Sequence, residues 1–282
     1  VKIWNVKWGT TPLNALQKGD PNDDIIIERL LSDPSLPAQP DIHIHIVIPN
    51  EFKTFGKYNI GITAGMETTL VHETWIQGVN RMDLVLTSSR HGKASFENTQ
   101  YEQKDKKTDK TTAILKVETP IEILFEGADL TKYFPTKDIK LSLSEINEQF
   151  CYLVVGHWMR GDFGEDRKNI GLTIKTFYET FKNKPKTPAL VLKISGAGAS
   201  YMDRDSILHK IYSIKESIEA DTLPNIYLLH GELTDEDMNN LYNHKKIKAL
   251  ISLTKGEGFG RPLLEFSLVK KPIITTKWSG HL

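Results

Sequence analysis

In the segment SLTKGEGFGRPLLEF, residues 252–266, two glutamates, Glu257 and Glu265, are separated by seven residues, and Gly256, Gly258 and Gly260 surround the first. The run KALISLT ahead of them reads as a strand, so residues 255–260 form the loop leaving its carboxyl end. Pro262 suits the first turn of a helix, where its missing N–H costs nothing; the helix then starts near Arg261 with Glu265 about one turn in. The glycines let the main chain approach a ligand and take positive φ, and free N–H groups at a helix start favour an anion. Carboxylates on either side of an anion do nothing for a phosphate, but an ionised carboxylate accepts hydroxyl hydrogen bonds well. Ribose diol, diphosphate and hexose hydroxyls in that order are the layout of a sugar nucleotide. Each glutamate alone also reads as a surface charge beside a glycine turn; the strand, loop and helix order argues for the ligand.

The elements that must position this loop are clearest in the second half of the chain. Short apolar runs lie at 150–156, 189–195, 225–231, 248–254 and 272–276, and the stretches between them have helical spacing. Nearly continuous apolar strands alternating with helices indicate a parallel sheet covered on both faces, a doubly wound α/β arrangement. Thr234 with Asp237 three residues on marks one helix start as an acidic capping box. In the first half, strands are expected at 41–49, 58–65, 83–89 and 121–127. A helix is expected over ETTLVHETWIQGVNRM, with Leu70, Trp75 and Val79 as core contacts, and residues 100–112 read as a charged loop or frayed helix end. The expected plan is α/β with two Rossmann-like lobes and a cleft between them: an N-terminal acceptor-side lobe over 1–130, a linker over 131–149 and a C-terminal nucleotide-sugar-binding lobe over 150–282. Ligands of open parallel sheets bind beyond the carboxyl ends of the strands, so the cleft is the natural site.

Lys plus Arg equals Asp plus Glu at 36 each, so no net field draws the chain to nucleic acid or an anionic membrane, and any anion must be held locally. An apolar fraction of 39% with 26% charge is the range of a soluble globular chain. The single cysteine, Cys151, forms no intrachain disulfide, which suits the cytoplasm. No stretch of about 18 apolar residues is present to span a membrane. The chain opens on Val1 and stops at Leu282 straight after an apparent strand and turn, and both termini are read as truncated.

GEGFGRPLLE followed by KKPIITTKWSG resembles the signature of retaining nucleotide-sugar glycosyltransferases of the GT-B fold, family 4. VVGHWMRGDFGEDRKNIGLTIKTF and LPNIYLLHGELTDEDMNNLYNH resemble the strand, loop and helix units ahead of that signature. GITAGMETT, WIQGVNRMDLVLTSS and PIEILFEGADLTKYFP resemble the acceptor lobe and its exit. The resemblance spans roughly residues 58–282 and is specific over 150–282. It implies that Glu265 holds ribose hydroxyls, that Glu257 contacts the transferred hexose, and that Gly258, Phe259 and Gly260 present main chain to the hexose and β-phosphate. It also implies a lysine and an arginine on the diphosphate. Lys168 matches the lysine, whereas His157 occupies the arginine position; Arg160, ahead of Arg167, is expected to supply that charge from the same loop.

Glu67 follows GITAGM at a strand end and is expected to open a helix and face the cleft as an acceptor-side or catalytic group. His72 reads as structural. His43 and His45 alternate with isoleucines and lack a third partner for a metal. Lys193, inside an apolar strand, needs a partner or a cleft-facing head, and SGAGAS (195–200) lacks the third glycine of a dinucleotide loop. The implied activity is hexosyl transfer with retention from a UDP- or GDP-sugar to an acceptor hydroxyl on a glycan, lipid or protein, without metal or other cofactor. A sugar-nucleotide binding module without transferase activity and a nucleotide-sugar epimerase are the alternatives. A phosphorylase would need a pyridoxal-phosphate lysine site, which nothing resembles.

Overall fold

The computed structural model describes residues 1–6, 15–33, 35–36, 38–64, 66–105, 107–159, 163–196 and 198–282. The chain divides into two compact units: residues 1–43 with 55–58, and residues 44–54 with 59–282. The first unit contains the short helix α1 (Pro21–Ile27), which has proline in its first turn and is capped by the Asp20 side chain accepting from the N–H groups of Asn22 and Asp23. Among the described residues no helix is long and apolar enough to cross a membrane.

The N-terminal sheet is ordered β1-β2-β3-β6, from β1 (Ile42–Ile46), β2 (Tyr58–Thr63), β3 (Leu84–Thr87) and β6 (Ile121–Ile123). Its β2–β3 and β3–β6 pairs are parallel. Helices α2 (Glu73–Val79) and α3 (Arg90–Glu97) contribute Ile76, Val79 and Phe96 to the core that also holds Val85 and Ile121. Two expectations change here. The charged stretch 100–112 is mostly a hairpin, β4 (Gln100–Lys104) antiparallel to β5 (Thr111–Lys116). Nearly all its side chains are exposed, which masks any alternation; the facing pair Tyr101 and Leu115 packs on the N-terminal core. The helix expected from residue 67 begins only at Glu73, because the main chain before it is bonded elsewhere: the Val71 N–H donates to Thr99 Oγ1, and the Thr68 carbonyl accepts from Ser95 Oγ. Glu67 therefore lies in the loop ahead of the helix rather than at a helix start, and Leu70 is 59% exposed rather than in the core. Trp75 stacks on Phe96, and Val79 is buried.

The C-terminal sheet is fully parallel in the order β11-β10-β7-β8-β9, from β7 (Cys151–His157), β8 (Ala189–Ser195), β9 (Ile226–Leu228), β10 (Ile247–Ser252) and β11 (Ile273–Thr275). Alternate residues of each strand enter opposite cores: Cys151, Leu153, Ala189 and Val191 on one face, Val154, Leu190, Leu192 and Ile194 on the other. Both faces are dry, so the strands read as continuous apolar runs. Helices α4 (Ile170–Phe181) and α5 (Tyr201–Glu216) cover the second face; α6 (Asp235–Asn243) and α7 (Arg261–Leu268) cover the first. Residues 128–149 form no helix or strand, and Tyr133, Leu143 and Ile146 from this segment are buried in the first-face core. The chain runs from β7 outward to β8 and β9, then returns to place β10 on the other side of β7. The loops leaving β7 and β10 thus flank the point where strand order reverses, where a doubly wound sheet opens a crevice for ligand.

Candidate functional site

The loop leaving β10 is held by its own side chains and by the segment after β11. Thr254 Oγ1, buried, donates to the Gly256 carbonyl at 2.9 Å and accepts the Gly256 N–H at 3.3 Å. A Cβ at Gly256 would lie 2.1 Å from the Glu67 carbonyl oxygen, so only glycine allows this approach. Gly260 caps α7 with φ +84°, a region that favours glycine. Gly258 and Gly260 are buried and Phe259 is half-buried.

The loop leaving β7 is stitched to it. Asp166, 2% exposed, caps α4 by accepting the Ile170 N–H through Oδ2 at 2.7 Å. Asn169 takes φ +56° and donates through Nδ2 to the Leu253 carbonyl at 3.0 Å. The Lys255 N–H donates to the Arg167 carbonyl at 2.9 Å. These bonds bring two cations onto Glu257, whose side chain is 7% exposed: Lys168 Nζ lies 2.5 Å from Oε1 and Arg167 Nη1 lies 3.5 Å from Oε2. Arg167 Nη1 also donates to the Gly256 carbonyl at 2.9 Å and pairs with Glu67 Oε1 at 3.3 Å. Burying a carboxylate is costly unless it is paired and hydrogen-bonded, and Lys168 and Arg167 supply that pairing here.

Glu265 lies in the first turns of α7 and is 8% exposed. Its Oε2 accepts from the Tyr242 hydroxyl at 3.3 Å and its Oε1 from Arg261 at 3.3 Å. Burial lifts its carboxyl above the ordinary range despite both partners. Burial, with the Glu265 charge next, pushes the Tyr242 phenol far up, so the hydroxyl stays a donor.

Of the residues expected in the site, Lys168, Glu257 and Glu67 come together, with Arg167 as the link between the two glutamates. Glu265 is on the neighbouring helix. His157 ends β7, exposed, with Nδ1 2.9 Å from Ser195 Oγ. Arg160 lies outside the described residues. Lys193 reaches the Gly231 carbonyl at 2.7 Å, and burial lowers its pKa. His72 caps α2, its Nδ1 accepting the Thr74 N–H at 3.3 Å. His45 Nδ1 accepts the Lys53 N–H, and among the described residues no cluster of three metal-ligating side chains occurs. Asp166 and Ser279 also hold the site, and neither stands out in the sequence. A cap four residues ahead of its amide partner has a weak local signal, and Ser279 meets Glu257 only in three dimensions.

Residues 164–282 match the family model described as glycosyl transferases group 1. No curated protein matches the chain. Sucrose-phosphate synthase from Thermosynechococcus elongatus is similar in structure, with TM-score 0.53 and 14% identity over 80% of this chain and 51% of that one. OtsA in its apo form gives 0.55 and 11% over 86% and 60%. A structure described as trehalose-6-phosphate from E. coli bound with UDP-2-fluoro glucose gives 0.52 and 11% over 86% and 60%. The fold is that of these GT-B glycosyltransferases, with Rossmann-like parallel sheets. The chain spans between 51% and 60% of the length of the three.

Proposed function

We propose that the protein moves a hexose from a UDP- or GDP-sugar to an acceptor hydroxyl with retention at the anomeric carbon. The observation that carries this is the convergence of Lys168, Arg167 and Glu257 at the strand-order reversal, with Glu265 on the helix that follows. In this reading Glu265 accepts the ribose hydroxyls, and Lys168 with Arg167 neutralises the diphosphate, joined by the helix start at Gly260. The main chain of Gly258, Phe259 and Gly260 lies along the hexose and β-phosphate. The N-terminal sheet supplies the acceptor side, residues 131–149 link it to the donor side, and Glu67 is its catalytic contributor. The two fixed cations supply the charge that the leaving group needs, so the reading calls for no metal or other cofactor. A UDP- or GDP-sugar donor is consistent with residence in the cytoplasm.

Chemically, the bond from the anomeric carbon to the β-phosphate oxygen breaks as the acceptor oxygen bonds the same carbon from the same face. The acceptor proton passes to the departing phosphate oxygen. Glu257, freed from its cations as they turn to the diphosphate, steadies the hydroxyls of the positively charged sugar. Preorganised charges at a dry site are worth more than in water.

A second reading, a sugar-nucleotide binding module, is favoured by His157 standing where the resemblance places an arginine. Thermal shift with UDP and GDP followed by incubation with labelled UDP- and GDP-sugars separates the two. Stabilisation by one base and transfer of label to an acceptor are expected. Stabilisation without transfer or donor hydrolysis supports the binding module, and epimerised free donor supports an epimerase. No stabilisation by either nucleotide overturns the donor site.

A further inference from the structure

β11 ends at Thr275, and residues 276–282 turn back over the loop that carries Glu257. Three of them meet it in succession. Ser279 Oγ accepts the Glu257 N–H at 2.7 Å and donates to the Glu257 carbonyl at 2.8 Å. The Gly280 N–H adds a second bond to that carbonyl at 2.9 Å, and a Cβ at Gly280 would lie 2.0 Å from the Gly258 carbonyl oxygen. A Cβ at Gly260 would lie 2.8 Å from the Cβ of His281. The imidazole of His281 is fixed in turn, with Nε2 3.0 Å from Thr275 Oγ1 and 2.9 Å from the Thr276 carbonyl.

Ser279 has φ +92° and is 8% exposed. A side-chain-bearing residue enters this region only where its surroundings over-determine it. Here the surroundings are the two bonds of its own hydroxyl and the bond of the next N–H, all directed at one residue. That residue is the one whose carboxylate Lys168 and Arg167 share. A hydroxyl suits the task because it donates and accepts at once and is short enough to close on a neighbouring peptide. Threonine would add a β-branch at positive φ, alanine would keep the strain without the bonds, and glycine would take the angle freely but bring no hydroxyl.

We propose that Ser279 is a positioning residue of the donor site: its hydroxyl fixes the main chain of Glu257 and thereby aims the Glu257 carboxylate. The role in turnover rests on the glycosyltransferase reading above; the mechanical link to Glu257 does not. Ser279→Gly is the informative variant, because it removes the hydroxyl while relieving the backbone, and Ser279→Ala accompanies it. Hydrogen exchange over overlapping peptides from 253–262 is expected to be about tenfold faster at Glu257 in both variants, with α4 and β7 as protected as in the wild type. With the sugar nucleotide that the wild type turns over, kcat is expected to fall by about tenfold to a hundredfold, the scale of a misplaced reacting group. Affinity for free UDP or GDP by calorimetry should stay within about twofold, since Glu257 faces the hexose and not the nucleotide. Wild-type exchange and wild-type kcat in Ser279→Gly overturn the proposal and leave the glycosyltransferase reading standing. Loss of protection in α4 together with loss of nucleotide affinity shows a general structural role and also overturns it. If the wild type itself binds neither UDP nor GDP, the glycosyltransferase reading fails, and the exchange measurement alone decides whether Ser279 holds Glu257.

Discussion

Glu265 keeps its carboxyl beside the Tyr242 hydroxyl and the Arg261 guanidinium, yet burial raises its pKa, because Arg261 is largely in solvent. The group is thus harder to ionise in the folded chain than in the unfolded one. Its favourable share of stability is fully present below the unfolded pKa and is lost as pH rises through the folded value. The ribose role proposed for Glu265 has the opposite demand, since the ionised carboxylate, with no proton of its own, is the better acceptor for two hydroxyls. Nucleoside diphosphate affinity is therefore expected to fall as pH drops through the raised pKa, above the ordinary glutamate value of about 4.3. Glu265→Gln should lose about tenfold in affinity at neutral pH, show no such acid limb, and melt no lower than the wild type. Calorimetry across pH checks the first two, and an affinity that falls equally in the variant would remove Glu265 from the ribose. Glu257 makes a sharper contrast with Lys168. Lys168→Gln takes a cation from a buried carboxylate and from the diphosphate, and should cost about tenfold to a hundredfold in UDP or GDP affinity. Glu257→Gln releases both cations, so nucleotide affinity should be kept or tightened while sugar turnover is lost. Parallel losses of affinity in both variants would contradict the division of roles.

The loops leaving β7 and β10 act as one element, because main-chain bonds run between them and glycines let them and their neighbours close. Gly256→Ala tests this: the new Cβ would meet the Glu67 carbonyl at 2.1 Å, and both groups are main chain, so neither can swing aside. The expected loss is about 1–3 kcal/mol, read as a lower urea midpoint with unchanged slope, together with weakened contact to Glu67. An unchanged midpoint would mean that the loop moves freely, against the close packing described. The same scale explains what was legible in the sequence. β7, β8 and β10 stand out as apolar runs because their alternate residues enter two separate cores, and α7 was marked by Gly260 and Pro262. The hairpin β4–β5 was hidden because Tyr101 and Leu115 pack inward while their neighbours stay in solvent. The start of α2 was hidden because Thr99, 28 residues away from Val71, satisfies the main chain that would otherwise have begun it. The paired glutamates could be read from spacing within one segment. The Arg167 link to Glu67 could not, since it joins two loops 100 residues apart in the chain, and Ser279 shows only as a serine before a glycine.

Across the molecule, residues around the N-terminal sheet meet the loops leaving β7 and β10 and the segment after β11. Ser88, just after β3, directs its hydroxyl toward the Gly258 carbonyl at 3.5 Å, His91 of α3 meets the Trp278 ring edge-on at 4.9 Å, and Glu67 pairs with Arg167. The ring contact and the close approach at Gly256 are apolar or main-chain contacts, whereas the Glu67–Arg167 pair is partly solvated on both sides and worth at most about 1 kcal/mol. Its importance is therefore in how it shares Arg167. The guanidinium pairs with both Glu67 and Glu257, and in the proposed donor site each carboxylate that holds it would compete with the diphosphate of the nucleotide. Removing the weaker, more exposed competitor should leave stability nearly unchanged and bind UDP or GDP a few-fold more tightly. If Glu67 also acts on the acceptor side, Glu67→Gln should lower transfer relative to donor hydrolysis, since water needs no positioning by that carboxylate. The measurement is the ratio of transferred to hydrolysed label at saturating donor, beside nucleotide affinity by calorimetry. A tighter nucleotide with an unchanged ratio would restrict Glu67 to holding Arg167. An affinity weakened by about tenfold would instead place Glu67 on the donor and reverse the assignment of the two sheets.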